Sequence, residues 1–267
     1  MDKVKPYWHK DADFSGYPFF IRRMNTCGYV KAAEVPRASL PLIGFIYLNA
    51  GEVLVEVEDK SYLCGPGHLL LIPEHKPFSI LHYSDAVGFT GGFQPSLFAS
   101  SQAMHFLEEP LQQAFWFDEA AFFGELFNML MLSFEKKDMP FIEKGMDLLL
   151  SKVKTSIRPL LPEIAASFLD EIFSQENNFL PVREYARKRG VSLNYLNRVV
   201  RQSTRRSLSS WIDIARVNRA KKLLKESNSP IAEVAASTGI FDQAYFARFF
   251  KKHSGMTPSE FRNLMHV

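Results

Sequence analysis

The sequence predicts an α+β protein of two domains: a strand-rich N-terminal domain that ends in helices, and an all-α C-terminal domain. Three observations predict it. Short apolar runs separated by turn residues fill the stretch from about 18 to 95. From about 96 onward the apolar spacing changes to three and four residues. Within the last stretch of chain, one helical unit is written twice. A length of 267 residues suits about two domains, and 46% hydrophobic with 23% charged residues suits packed cores in a water-exposed protein.

The strands come first. In "LIGFIYLNAGEVLVEVEDKSYLCGPGHLLLIPEHKPFSI", Val53, Val55 and Val57 alternate with Leu54, Glu56 and Glu58, so one strand face can be buried and the other partly wet. Asn49-Ala50-Gly51 and Glu58-Asp59-Lys60 read as hairpin turns, and Gly65-Pro66-Gly67 as a tight turn before the buried run Leu69–Ile72. Many short strands at this spacing imply a sandwich or a small barrel.

Helices follow. Glu119–Lys136 carries Phe122, Phe123, Leu126, Phe127, Leu130 and Met131 as an apolar stripe. Phe141–Val153 and Leu161–Ser174 are two more helices, with Pro140 and Pro162 near their starts. Such helices either cover the sheet or pair subunits. The stretch "SQENNF", 174–179, reads as a linker between a domain of 1–173 and one of 180–267.

Several classes are excluded. The N-terminal residues hold no apolar signal core. The oiliest stretch, "FFGELFNMLMLSF", is too short to span a bilayer. Two cysteines, Cys27 and Cys64, without a CxxC pair, suit a reducing cytoplasm. The net charge of +3 hides a division: residues 177–267 hold 17 Lys and Arg against 6 Asp and Glu, whereas 1–176 hold 15 against 23. A compact basic domain points to a polyanionic partner.

The repeat sharpens that partner. Residues 184–211 align with 233–261 after a one-residue insertion in the second copy, matching Glu184 to Glu233, Gly190 to Gly239, Tyr195 to Tyr245, Arg198 to Arg248 and Trp211 to Phe261. Each copy reads as helix, short turn with Gly, helix. Ser192 and Asp242 are suitable N-caps for the second helices. In a helix-turn-helix that second helix lies in the DNA major groove. Helical spacing sends Leu196, Val199 and Val200 inward and Asn194, Asn197, Arg198 and Arg201 outward. In the second copy Tyr245, Phe246, Phe249 and Phe250 turn inward and Gln243, Ala247, Arg248 and Lys251 outward. Between the copies no Gly or Pro occurs from Leu208 to Ser229, so a continuous helix is expected, capped by Ser209 or Ser210. Its expected apolar stripe is Trp211, Ile214, Ala215, Leu223 and Leu224.

These residues resemble the AraC/XylS family of bacterial transcription regulators. The likeness lies in Arg216-x-x-x-Ala220-x-x-Leu223-Leu224, in Ile231-Ala232-Glu233-Val234-Ala235, in Gly239-x-x-Asp242-Gln243-x-Tyr245-Phe246-x-Arg248-x-Phe250-Lys251-Lys252, and in Gly255-Met256-Thr257-Pro258. The resemblance implies two helix-turn-helix units joined by a linker helix and set in successive major grooves. It assigns the DNA surface to Ser192, Asn194, Asn197, Arg198 and Arg201, and to Gln243, Ala247, Arg248, Lys251 and Lys252. It also implies RNA polymerase as a partner, a homodimer, and a cytoplasmic, nucleoid-associated place in a bacterium. Two departures stand out: Ile240 replaces the family's Phe, and Arg205 replaces a helix-ending Gly.

The N-terminal strands resemble, more weakly, the cupin-like barrel that many members carry for effector binding or dimerisation. Phe45 and Tyr47 are then candidate walls of a small-molecule pocket. His68, His75 and His82 fall seven apart, which flips strand faces, so neither a metal site nor a cofactor is expected. The reading is a regulator without catalysis. The alternatives are a cupin-type metal enzyme fused to a DNA-binding tail, and a DNA-repair methyl acceptor, for which Cys27 and Cys64 lack an activating neighbour.

Overall fold

Two long strands, β3 (Ile43–Val57) and β6 (Phe78–Phe93), organise the N-terminal part. The computed structural model describes residues 18–26, 35–58, 60–98, 114–117, 119–153, 161–174 and 178–265. Strands β1 (Phe19–Asn25), β2 (Val35–Ala38), β4 (Lys60–Cys64), β5 (His68–Ile72) and β7 (Ala114–Trp116) complete an antiparallel sheet. Its order is β1-β6-β3-β5-β7, with β2 added to β6 and β4 to β3. Among the described residues no pairing joins β1 to β7, so the ladder is open where a closed cupin-like barrel was expected. Helices, rather than a strand-to-strand seam, seal the face that carries Phe45.

The expected hairpin turn at Asn49-Ala50-Gly51 is instead a bulged stretch through which β3 continues, with register shifts against β6 on either side of Ala50. Gly51 takes a φ of 73°, and a Cβ there would lie 2.2 Å from the Asp85 carbonyl oxygen, so only glycine fits the bulge. The tight turn before β5 forms as the sequence implies, with the His68 N–H donating to the Gly65 carbonyl at 3.0 Å.

Alternation along β3 serves two cores. Ile46 and Leu48 pack with Val53, Val55, Leu70 and Phe78 on one face. Phe45 and Tyr47 point to the other, where helices α1 (Ala120–Glu135) and α2 (Met139–Val153) lie. Phe127 of α1 is the centre of this second core. Its ring lies 4.6 Å from that of Tyr47, 5.5 Å from Phe45 and 5.7 Å from Phe89. The two candidate pocket walls are therefore fully buried core residues packed on a helix. The Tyr47 hydroxyl donates to the Ala120 carbonyl at 2.7 Å, and burial pushes its pKa up to about 12. In the expected α1 stripe, Phe123, Leu126, Phe127 and Leu130 are buried, whereas Phe122 at the stripe's edge is half exposed.

The described chain divides into two compact units, the second being chiefly Leu161–Val267. The division falls before helix α3 (Glu163–Phe173), not at 174–179, of which 175–177 lie outside the described residues. The reason is packing. Phe168 of α3 meets Tyr185 edge-on at 5.5 Å, and Phe173 meets Trp211 at 6.3 Å. Glu171 accepts from Lys188 and Arg189, each at 2.7 Å. Burial works against the Glu171 carboxylate, but these two hydrogen bonds and their positive charge outweigh it and hold its pKa below the ordinary range.

The sequence repeat and its surroundings resolve into six helices. The first copy is α4 (Val182–Lys188) and α5 (Leu193–Thr204), and the second is α7 (Ile231–Ser237) and α8 (Gln243–Ser254). Helix α6 (Leu208–Glu226) runs unbroken between them, and α9 (Pro258–Met265) closes the unit. The α6 cap is Ser207, whose hydroxyl accepts from the Ser210 N–H at 3.2 Å, two or three residues earlier than the expected Ser209 or Ser210. No helix among the described residues is long and apolar enough to cross a membrane.

Truncating Phe127→Ala should cost the N-terminal unit about 3–5 kcal/mol, read by chemical denaturation, because the ring fills a site enclosed by three others. Glu171→Gln should speed hydrogen exchange of the α3 amides at pH 7. The native carboxyl titrates below the free glutamate value of about 4.3, so its contribution is whole above that value and is lost as the pH falls through the lowered one. Wild type and variant should therefore converge in acid; a difference that persists undiminished near about pH 2 would contradict the ion-pair account.

Candidate nucleic-acid interface

Both second helices of the repeat are started by the residues the sequence marks. The Ser192 hydroxyl accepts from the Tyr195 N–H at 3.2 Å, and the Asp242 carboxylate accepts from the Tyr245 N–H at 2.8 Å. Each satisfies one free amide of the first turn and so fixes where the helix begins. The preceding turns match as well: Gly190 and Gly239 have φ values of 64° and 75°.

Both helices also end alike. Arg205 caps α5 with φ 60°, and Gly255 caps α8 with φ 84°. A non-glycine residue thus takes the left-handed position that ends α5, and a side chain there costs roughly 1–2 kcal/mol. Just inside each end a buried hydroxyl braces the helix. Thr204 Oγ1 donates to the Val200 carbonyl at 2.7 Å and accepts from the Trp211 indole N–H at 2.8 Å; Ser254 Oγ donates to the Phe250 carbonyl at 2.7 Å.

With both ends fixed, the faces sort by helical period. In α5, Leu196, Val200 and Thr204 are buried, while Asn194, Arg198 and Arg201 are exposed. Asn197 is half-buried, and its Oδ1 accepts from the Leu208 N–H at 3.3 Å, tying α5 to the start of α6. In α8, Phe246, Phe249 and Phe250 are buried, Gln243, Arg248, Lys251 and Lys252 are exposed, and Ala247 is intermediate. Tyr245, expected inward, is 53% exposed; it stacks on Phe249 at 6.4 Å from the margin of the buried stripe. The Arg198 guanidinium lies 5.3 Å from the Tyr195 ring centre, a cation–π contact that holds it against the helix.

On the outer face of α5 an open depression of about 860 Å³ is lined by Asn194, Asn197, Arg198, Arg201, Gln202 and Arg205. Sequence reasoning named four of these. Gln202 and Arg205 were missed, although each lies four residues beyond a named cation, Arg198 or Arg201, and so on the same face. Three guanidiniums and three carboxamides suit a phosphate backbone and base edges: arginine donates in pairs to guanine, and carboxamides pair with adenine.

The residues weighed for other chemistry have local roles. His68 Nδ1 accepts from the Gly65 N–H at 3.0 Å, and burial lowers its pKa, which keeps the ring neutral for that role. His82 lies 3.3 Å from Glu52. Among the described residues no group of three His, Cys, Asp or Glu could hold a metal ion. Cys64 is buried, and burial raises its thiol to about 12, far from a thiolate at neutral pH. Cys27 and linker residues 175–177 lie outside the described residues.

A family model described as a helix-turn-helix domain matches residues 185–264. The arabinose operon regulatory protein of Escherichia coli K12 is 26% identical over 235 residues, covering 79% of this chain and 77% of that protein. The Msm operon regulatory protein of Streptococcus mutans is 26% identical over 239 residues, covering 81% of this chain and 82% of that protein. The protein named Probable transcription factor PqrA, from Proteus vulgaris, is 33% identical over 88 residues, covering 33% of this chain and 72% of that protein. These relatives are regulators, and neither enzyme alternative finds support among them. The chain belongs to the AraC/XylS family and is a DNA-binding transcription regulator.

Proposed function

We propose that the second unit holds one duplex by seating α5 and α8 in successive major grooves. Ser192, Asn194, Asn197, Arg198 and Arg201 face the DNA from α5, and Gln243, Ala247, Arg248, Lys251 and Lys252 face it from α8. The observation that carries this reading is the pair of capped helices on one continuous spacer, each with an apolar inner face and a cationic, carboxamide-bearing outer face. Arg198 and Arg248 hold equivalent places in the two copies and are assigned to base edges. Arg201, Lys251 and Lys252 near the helix ends are assigned to phosphates.

The N-terminal unit, which we read as a cupin-like sensor domain, controls this binding through a small-molecule effector or through pairing of two copies. Its acidic balance and its separate core support a job distinct from that of the basic unit. In this reading the protein acts in the cytoplasm and engages RNA polymerase at the promoters it occupies.

Binding of the full chain to a duplex library is the test. The logarithm of affinity should fall steeply and linearly with the logarithm of salt concentration, because cations on the helix faces displace counterions; a flat profile would remove the basic face from the interface. Arg248→Ala should weaken binding to the selected site by ~1–3 kcal/mol and relax preference at a single base pair. Unchanged affinity and preference would take Arg248 off the reading surface.

A further inference from the structure

Phe241 is the most exposed large apolar side chain among the described residues, at 86%. It stands directly before the Asp242 cap of α8. Hydrogen bonds show why it has no counterpart in the first copy. The Val191 N–H donates to the Ala186 carbonyl at 3.2 Å, and the Ile240 N–H donates to the Ala235 carbonyl at 3.1 Å, so Val191 and Ile240 occupy the same place in their turns. The caps Ser192 and Asp242 are equivalent too. The single inserted residue of the second copy is therefore Phe241.

Its position is the one from which an apolar residue ordinarily folds back on the fourth helical residue. That residue, Phe246, is fully buried without it, and Ile240 at 7% exposure already supplies the apolar contact of the turn. The ring of Phe241 is thus left pointing away from the core at the tip of α8, beside exposed Gln243 and Ala244. The N-terminal residues of a recognition helix are the ones that reach base edges. On the major-groove floor the apolar group offered to them is the C5-methyl of thymine.

We propose that Phe241 is a specificity-determining residue, whose ring packs on a thymine C5-methyl in the site read by α8. The proposal rests on the reading of α8 as a groove-inserting helix. The cationic Arg248, Lys251 and Lys252 on the same helix argue for duplex DNA as the occupant over an apolar protein surface.

The full-length protein and its Phe241→Ser and Phe241→Leu variants would each select from a random duplex library. Each thymine of the wild-type site would then be replaced by deoxyuridine, which lacks only the methyl. The expected result is one thymine whose replacement weakens wild type roughly fourfold, the value of one buried methyl. Phe241→Ser should lose both the preference for that thymine and the sensitivity to its methyl while selecting the rest of the motif, and Phe241→Leu should retain the preference. A selected motif with no methyl-sensitive thymine, or one that Phe241→Ser reads unchanged, overturns the proposal and leaves DNA reading by α8 intact. Failure of wild type to select any motif overturns both.

Discussion

The arrangement of the DNA-binding unit depends on one helix buried on opposite sides at its two ends. In the first half of α6, Leu208, Trp211, Ile212 and Ala215 fall on one face and are buried. In the second half, Val217, Ala220 and Leu224 are buried, and at 3.6 residues per turn they lie on roughly the opposite face. The first face packs with α3 and α5, the second with α7, α8 and α9. A continuous helix between two small cores fixes their rotation as well as their separation. Nineteen residues set that separation on the order of 28 Å, comparable with one turn of B-DNA.

Given that spacer, the remaining features hold each outer face steady. Trp211 belongs to α6 but donates to Thr204 of α5, so the spacer and the second helix of the first copy share a buried hydrogen bond. Asn197 adds a second tie at Leu208. In the other copy Phe246 and Phe250 of α8 and Phe261 of α9 share a core with Val217, Ala220 and Leu224 of α6, with Phe250 and Phe261 edge-on at 5.7 Å. Thr257 and Glu260 form a reciprocal cap that starts α9 beneath them, with the Thr257 N–H donating to the Glu260 carboxylate at 2.7 Å. Helix α3 buttresses the first copy through Glu171 and Phe173.

Much of the DNA-binding unit was legible because its code is local. Ser192 and Asp242 announce caps, Gly190 and Gly239 announce turns, and the repeat relates one copy to the other. What escaped was tertiary. A single stripe was expected on α6 because one helix usually buries one face, and nothing local says that Val217 and Trp211 answer to different cores. Tyr245 fell at the margin of its stripe, where spacing alone does not decide. Helix α3 reads as part of the first domain until its partners Tyr185 and Trp211 are seen. In the sheet, Asn49-Ala50-Gly51 has the composition of a hairpin turn, yet Gly51 there serves a bulge that lets β3 continue. Phe45 and Tyr47 were candidate pocket walls on the cupin-like resemblance, which carries no information that Phe127 packs against both rings.

The central claim is that α6 holds α5 and α8 at a fixed spacing and rotation for a single duplex. Inserting five base pairs between the two halves of the selected site turns one half to the opposite side of the DNA. Affinity should then fall nearly to the level of non-specific binding, and an insertion of about one full turn, ten base pairs, should not restore it, because the rigid helix cannot stretch. Binding that tolerates either insertion would mean that the two helices engage DNA independently, and the account of α6 as a rigid spacer would be wrong.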